Sequence, residues 1–187
     1  MVAVWIVVGI VVLLGLYAAF TYNRLVRTRV RADNAWSQID VQLRRRYDLI
    51  PNLVQTVQGY AAHERELFED VTRARAAAQQ ASGVRGQADA ENQLTRSLNR
   101  LIAVAENYPD LKASQNFLAL QEELTGTEGR IAYARQFYND EVQQLNTLIQ
   151  AFPSNVVARL GSFRPREFFE IDEPVRGHVT VGFGQQQ

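Results

Sequence analysis

Cysteine is absent from the 187 residues, which excludes a disulfide, a thiolate nucleophile, a cysteine-ligated zinc and a lipid attached through a lipoprotein cysteine. An excess of either charge is also missing, since 20 basic side chains face 20 acidic ones. There is then no global field to recruit nucleic acid, and charge has to be read locally. Histidine is nearly absent, with two in the chain. Neither His63 nor His178 has a Glu three residues before it, as a di-iron bundle requires. His63-Glu64 is followed by Arg65, Glu66 and Leu67 with no second His, so the zinc-hydrolase spacing is missing as well. A nucleophile elbow, a phosphate loop and a dinucleotide fingerprint are not found. Asp40, Asp48, Glu64, Glu106, Glu123 and Glu128 have only the spacing of a solvated helix surface. No catalytic residue, cofactor or metal is expected.

What is present begins with residues 2–22, which carry no charge and are mostly Val, Ile, Leu, Ala and Gly, with Trp5 near one end and Tyr17 and Tyr22 near the other. About 20 such residues match the hydrocarbon thickness of a bilayer, and flanking aromatics suit its interfaces. A cleaved signal peptide would need basic residues before a shorter apolar core. A transmembrane helix is therefore expected. Arg24, Arg27, Arg29 and Arg31 come just after it, and nothing before it is basic except the amino terminus. That asymmetry predicts a short N-terminus outside and the remainder in the cytoplasm. The same four arginines have two readings, a topology signal that also touches anionic headgroups at about 1 kcal/mol each or the solvated face of the first turns of the rod, and neither implies a specific lipid pocket.

The stretch 32–78 sets the architecture. Ala32, Trp36, Ile39, Leu43, Tyr47, Ile50, Val54, Val57, Ala61, Phe68 and Val71 recur at steps of three and four, with the polar Glu64 on the same line. This is one face of a helix of roughly 70 Å, which other long helices must cover. Asp40, Arg44 and Asp48 form a ladder beside the stripe, with Arg45 and Arg46 alongside. Pro51 removes the bond to the carbonyl of Tyr47, yet the stripe keeps its phase, so a bend without a break is expected. Ser82-Gly83-Val84-Arg85-Gly86 is the interhelical loop. A second helix is expected from about residue 88 on the stripe Leu94, Leu98, Leu101, Ala105 and Tyr108. Tyr108-Pro109-Asp110 stops or bends it, with Asp110 suited to cap the next helix. A third runs over residues 111–151 through Gly126 and Gly129. Whether Pro109 reverses the chain decides between an antiparallel bundle and one very long hairpin.

Phe152-Pro153-Ser154 ends that helix and starts a short one over residues 155–160. Gly161, Pro165 and Pro174 then point to an extended segment. Phe163, Phe168, Phe169 and Ile171 make it too apolar for a free tail, so it lies in a groove of the rod or of a neighbouring copy. His178 to Phe183 alternates like a strand without a clear partner in the chain.

Tyr22-Asn23-x-Leu25-Val26, the block from Trp36 to Val54, Glu106-x-Tyr108-Pro109-x-Leu111, Glu128-x-x-Ile131-x-x-Ala134-Arg135-x-x-Tyr138-Asn139 and Phe152-Pro153-Ser154-Asn155 together resemble the LemA family. The likeness covers nearly the whole chain, leaves out residues 179–187, and departs at Leu145-Asn146, where an aromatic before the Asn is common. It implies a bacterial inner-membrane protein with one transmembrane helix, a short outside N-terminus and a cytoplasmic antiparallel helical bundle. It implies no established catalytic activity, and it implies an envelope partner such as a membrane metalloprotease.

The expectation is an all-α protein: a transmembrane anchor over residues 1–23, an elongated bundle of three to four long helices over 24–160 and an extended segment over 161–187. It is expected to be a non-catalytic scaffold on the lipid bilayer that self-assembles as a homo-oligomer and organises or shapes the inner membrane. The alternative is an adaptor for a membrane protease or other envelope protein. The membrane-proximal basic residues are Arg24, Arg27, Arg29 and Arg31. The candidate partner or assembly surface is Arg44, Arg45, Arg46, Asp48, Phe163, Phe168 and Phe169.

Overall fold

The computed structural model describes residues 1–171 and is all-α with no strand among them. The expectations for Pro174 and for the strand-like run from His178 lie outside the described residues. The elements are α1 (Val2–Gln58), α2 (Arg65–Gln80), α3 (Val84–Ala105), α4 (Pro109–Lys112), α5 (Gln115–Gln150) and α6 (Ser154–Leu160).

α1 joins the apolar N-terminal segment to the rod in one helix of 57 residues, about 85 Å long at the α-helical rise. It passes through Pro51 unbroken. Among the described residues it is the one helix long and apolar enough to cross a membrane, and its apolar window packs against nothing.

The single helix expected over 32–78 does not form. The chain turns at residues 59–64 and α2 returns along α1, so that the Arg75 side chain reaches the backbone of Tyr47. The apolar phase concealed this reversal because Ala61, in the turn, and Phe68, on α2, are both buried in the same core. Glu64, the polar residue on the apolar line, is the N-cap position of α2. A second reversal comes at residues 81–83, tighter than expected, with Gly83 at φ 76°, where a side chain would be strained. α3 accordingly starts at Val84, and Gly86 lies inside it.

Pro109 reverses the chain. α3 ends at Ala105, Pro109 opens the four-residue α4, and α5 then runs antiparallel to α1. Asp110 sits in the first turn of α4 and caps nothing, since Tyr108 holds the N-cap position. α5 begins at Gln115, later than expected, and crosses Gly126 and Gly129 without interruption. Its apolar face is buried at Phe117, Leu124, Ile131, Ala134, Tyr138, Val142 and Leu145 and half-buried at Leu120, whereas Phe152 is exposed.

The bundle changes cross-section along its length. Its far half contains α1, α2, α3 and α5 around a continuous core from Ile39 to Ile131. Its near half has α1 and α5, with α6 and the extended residues 161–171 in place of the second hairpin. The apolar segment Phe163 to Ile171 thus lies on its own chain, with Phe169 buried, Phe163 and Ile171 half-buried and Phe168 exposed.

Candidate membrane and assembly interface

The extended strap is held in register by two side-chain amides. Asn146 donates from Nδ2 to the carbonyl of Arg166 and accepts the Arg166 N–H on Oδ1, both at 2.9 Å. Asn139 does the same to Phe169, at 3.1 and 2.9 Å. Seven residues of helix and three of extended chain both rise about 10 Å, so the two amides meet matching backbone positions. Arg135 donates to the carbonyl of Ile171 at 2.9 Å and the Tyr138 hydroxyl to that of Glu167 at 3.0 Å. Phe169 is fully buried against Trp36, ring centroids 5.3 Å apart and nearly perpendicular, and Trp36 also meets Tyr138 at 5.3 Å. Burial pushes the Tyr138 phenol above its ordinary value, with the Arg166 charge opposing.

Of the expected assembly residues, Phe169 therefore belongs to the chain's own core, Phe163 is half-buried in edge contact with Tyr22, and Phe168 is exposed. The same division holds on α1. Arg46 is 1 % exposed and forms an ion pair with Glu91, which is 0 % exposed. Arg46 also donates to Glu128 at 2.7 Å and Thr95 at 3.3 Å. Tyr47 donates to Glu91, and Gln87 bonds both of them. Desolvation raises the Tyr47 phenol above its usual value, with the Arg46 charge pulling the other way. Arg46 is an internal strut and offers nothing to a partner. Its role was not visible in the sequence, because Glu91 sits on the buried face of α3 without any charge pattern to mark it. Arg44, Arg45 and Asp48 do lie at the surface, Arg44 paired with Asp40 at 2.7 Å and Arg45 with Glu123.

Next to the apolar segment, Arg24, Arg27 and Arg31 line a cleft of about 670 Å³ between α1 and α5, with Phe20, Thr28, Asp140, Gln143, Gln144 and Thr147. Arg29 points elsewhere, its guanidinium 6.0 Å from the centroid of the Phe163 ring. A second groove of about 560 Å³ lies higher on the flank, lined by Val41 of α1 and by Gly126, Gly129 and Tyr133 of α5. Both glycines are open to space where a side chain would stand. Among the described residues no three His, Asp or Glu side chains converge as a metal site would need.

The family model described as the LemA family matches residues 35–183. That range takes in part of the tail expected to fall outside the likeness and omits the Tyr22 to Val26 start. Relatives include the magnetosome protein MamQ 2 of Paramagnetospirillum magneticum, 25% identical over 175 residues, which cover 80% of this chain and 64% of that protein. MamQ of Magnetospirillum gryphiswaldense is 25% identical over 174 residues, 79% of this chain and 64% of that one. Protein LemA of Metamycoplasma hominis is 27% identical over 138 residues, 73% of this chain and 63% of that one. The chain thus spans just under two thirds of the length of these relatives.

Proposed function

The chain belongs to the LemA family, and from that premise we propose that it is a membrane-associated, non-catalytic helical scaffold that self-assembles on the bacterial inner membrane and organises or shapes it. The observation that carries this reading is the groove on the α1–α5 flank. Val41 and Tyr133 are large apolar side chains left exposed beside a strip where Gly126 and Gly129 let another backbone come close. The strap supplies less, because Phe169 is buried in its own chain and Phe163 is half-buried, which leaves Phe168 exposed.

In this reading residues 1–23 are a single transmembrane anchor, residues 24–160 the cytoplasmic bundle and residues 161–187 its strap and tail. The arginines after the apolar segment support that orientation. A reporter fused after Gln187 should report cytoplasm, and a periplasmic signal would reverse the topology.

A second reading is favoured by the far half of α1. Asp40, Arg44 and Asp48 edge a cleft of about 450 Å³ against α2 and α3, a polar face suited to a membrane protease or other envelope protein. The mass of the detergent-extracted protein, by light scattering with negative-stain imaging of the same peak, separates the two. A regular particle larger than a dimer supports the scaffold. A monomer or dimer overturns it in favour of the adaptor.

A further inference from the structure

α5 descends toward the anchor as far as Gln150, and the strap climbs away from it after Gly161. Residues 151–160 are therefore the base of the bundle. Two contacts fix the level of that base on α1. Ala158 packs with Leu25 in the small core at this end, and Gly161 lies so close that an added Cβ would be 3.2 Å from the Tyr22 ring. Tyr22 is the aromatic that ends the apolar segment, so the base stands where the anchor leaves the hydrocarbon.

Its surface is out of character for a soluble end. Phe152 and Leu160 are each 83 % exposed, the highest values for large apolar side chains beyond residue 20 among the described residues, and Val156 between them is 52 % exposed. The three are spaced four apart, and Phe20 on α1 adds a fourth apolar side chain at 70 % exposure. Directly above lies the cleft of Arg24, Arg27 and Arg31. At about 1.5 Å per residue, Arg24 and Arg27 stand roughly 3 and 8 Å above Tyr22, about the depth of a headgroup layer, and Arg31 stands roughly 14 Å above it, at the outer end of the cleft. Asp140 is the acidic group in the cleft, against these three cations.

We propose that the base of the bundle is a second membrane contact, in which Phe152, Val156 and Leu160 enter the interfacial layer and the Arg24–Arg27–Arg31 cleft holds the phosphate of an anionic phospholipid. Apolar side chains at the depth of the acyl boundary and guanidinium groups at the depth of the phosphates are the two halves of such a site. The contact would fix the tilt of the rod, which a single helix leaves free to swivel. The inference rests on the membrane association of α1 and is independent of self-assembly.

The absence of cysteine makes the test direct. Val8→Cys, Leu160→Cys and Val41→Cys, each at an exposed position, are labelled with an environment-sensitive fluorophore in the full chain and placed in nanodiscs of phosphatidylcholine with or without phosphatidylglycerol. Quenching by spin-labelled lipid at the Val8 site reports the anchor. Quenching at the Leu160 site but not at the Val41 site is expected from the base contact. An aqueous signal at Leu160 with a quenched one at Val8 overturns the proposal alone, whereas an aqueous signal at both overturns the membrane reading beneath it. The phosphatidylglycerol retained on extraction from mixed vesicles tests the cleft. The combined Arg24→Gln, Arg27→Gln and Arg31→Gln variant should lose at least about fivefold of that preference, the equivalent of one arginine at an anionic surface. An unchanged preference overturns the headgroup site. So does its loss to millimolar inorganic phosphate at matched ionic strength, which would make the cleft a site for the free anion.

Discussion

Arg75 on α2 donates its Nε–H to the backbone carbonyl of Tyr47 on α1 at 2.7 Å, and that carbonyl is the one Pro51 leaves without a donor inside its own helix. A proline in the middle of a 57-residue helix is tolerated because a returning helix supplies the missing bond. Replacing Arg75 by Met should then cost about 1–3 kcal/mol, the penalty of an unsatisfied buried acceptor. In a Pro51→Ala background the intrahelical bond is restored, and the same replacement should cost less than half as much. Urea unfolding of the four proteins checks it; equal costs in both backgrounds would break the link between Pro51 and Arg75.

The buried pair of Arg46 and Glu91 makes a second, larger prediction. Glu91→Ala leaves a guanidinium enclosed with only Glu128 and Thr95 to satisfy it, and should destabilise by about 3–5 kcal/mol. Arg46→Met combined with Glu91→Leu removes both charges and keeps the volume, so it should recover a large part of that loss. Thermal unfolding compares the single and double variants, and a double variant weaker than Glu91→Ala would show that Tyr47 and Gln87 depend on the carboxylate more than Arg46 does.

The apolar N-terminal helix, the three-four stripes on α1, α3 and α5 and the start of α6 were legible because each depends on local periodicity or on a breaker at a known offset. The turn at residues 59–64 was not, since Gly59 is a weak breaker and a hairpin that buries Val57, Ala61 and Phe68 in one core preserves the apolar rhythm of a continuous helix. Glu64 on the apolar line was the trace of it. The site was half legible. Phe169 and Phe168 are neighbours of equal composition, and only the clip of Asn139 on the strap decides which ring turns inward. Arg46 looked like its neighbours Arg44 and Arg45 because its acidic partner lies 45 residues ahead in the chain, on another helix.

Alkaline pH should weaken the fold through Tyr47 and Tyr138. Both phenols titrate above the ordinary 10.0 when folded, chiefly through desolvation. The folded state therefore holds their protons longer than the unfolded one, and this stabilisation is fully present below pH 10 and lost as pH rises through the raised values. Tyr47→Phe removes one of the two titrations, so its stability should fall less between about pH 9 and pH 11 than that of the parent chain. Denaturant midpoints at the two pH values measure the difference.

The strap predicts opposite outcomes at adjacent positions. Phe169→Ala empties the space against Trp36 and should cost about 3–5 kcal/mol of local stability, while Phe168→Ala should stay within about 0.5 kcal/mol. Trypsin cleavage after Arg166 reads the strap directly, because a released segment is cut and a clipped one is spared. Asn146→Ala, which loses both bonds to Arg166, should also speed cleavage. Equal protection in all three variants would mean that the strap is held by something other than Trp36 and the two asparagines.

Gly129 separates assembly from folding. An added Cβ there meets nothing within 4 Å in the single chain, and the position is in the middle of α5, where leucine favours the helix over glycine by about 0.5–1 kcal/mol. Gly129→Leu should therefore leave the lone chain as stable as before or more so. If copies meet through the groove beside Val41 and Tyr133, the same leucine fills the space a neighbouring helix would enter, and Tyr133→Glu places a charge in the contact. Both variants should give particles of lower mass in light scattering with unchanged helical content. A mass equal to that of the parent chain in both would remove this flank from the assembly and direct attention to the Asp40 and Arg44 face.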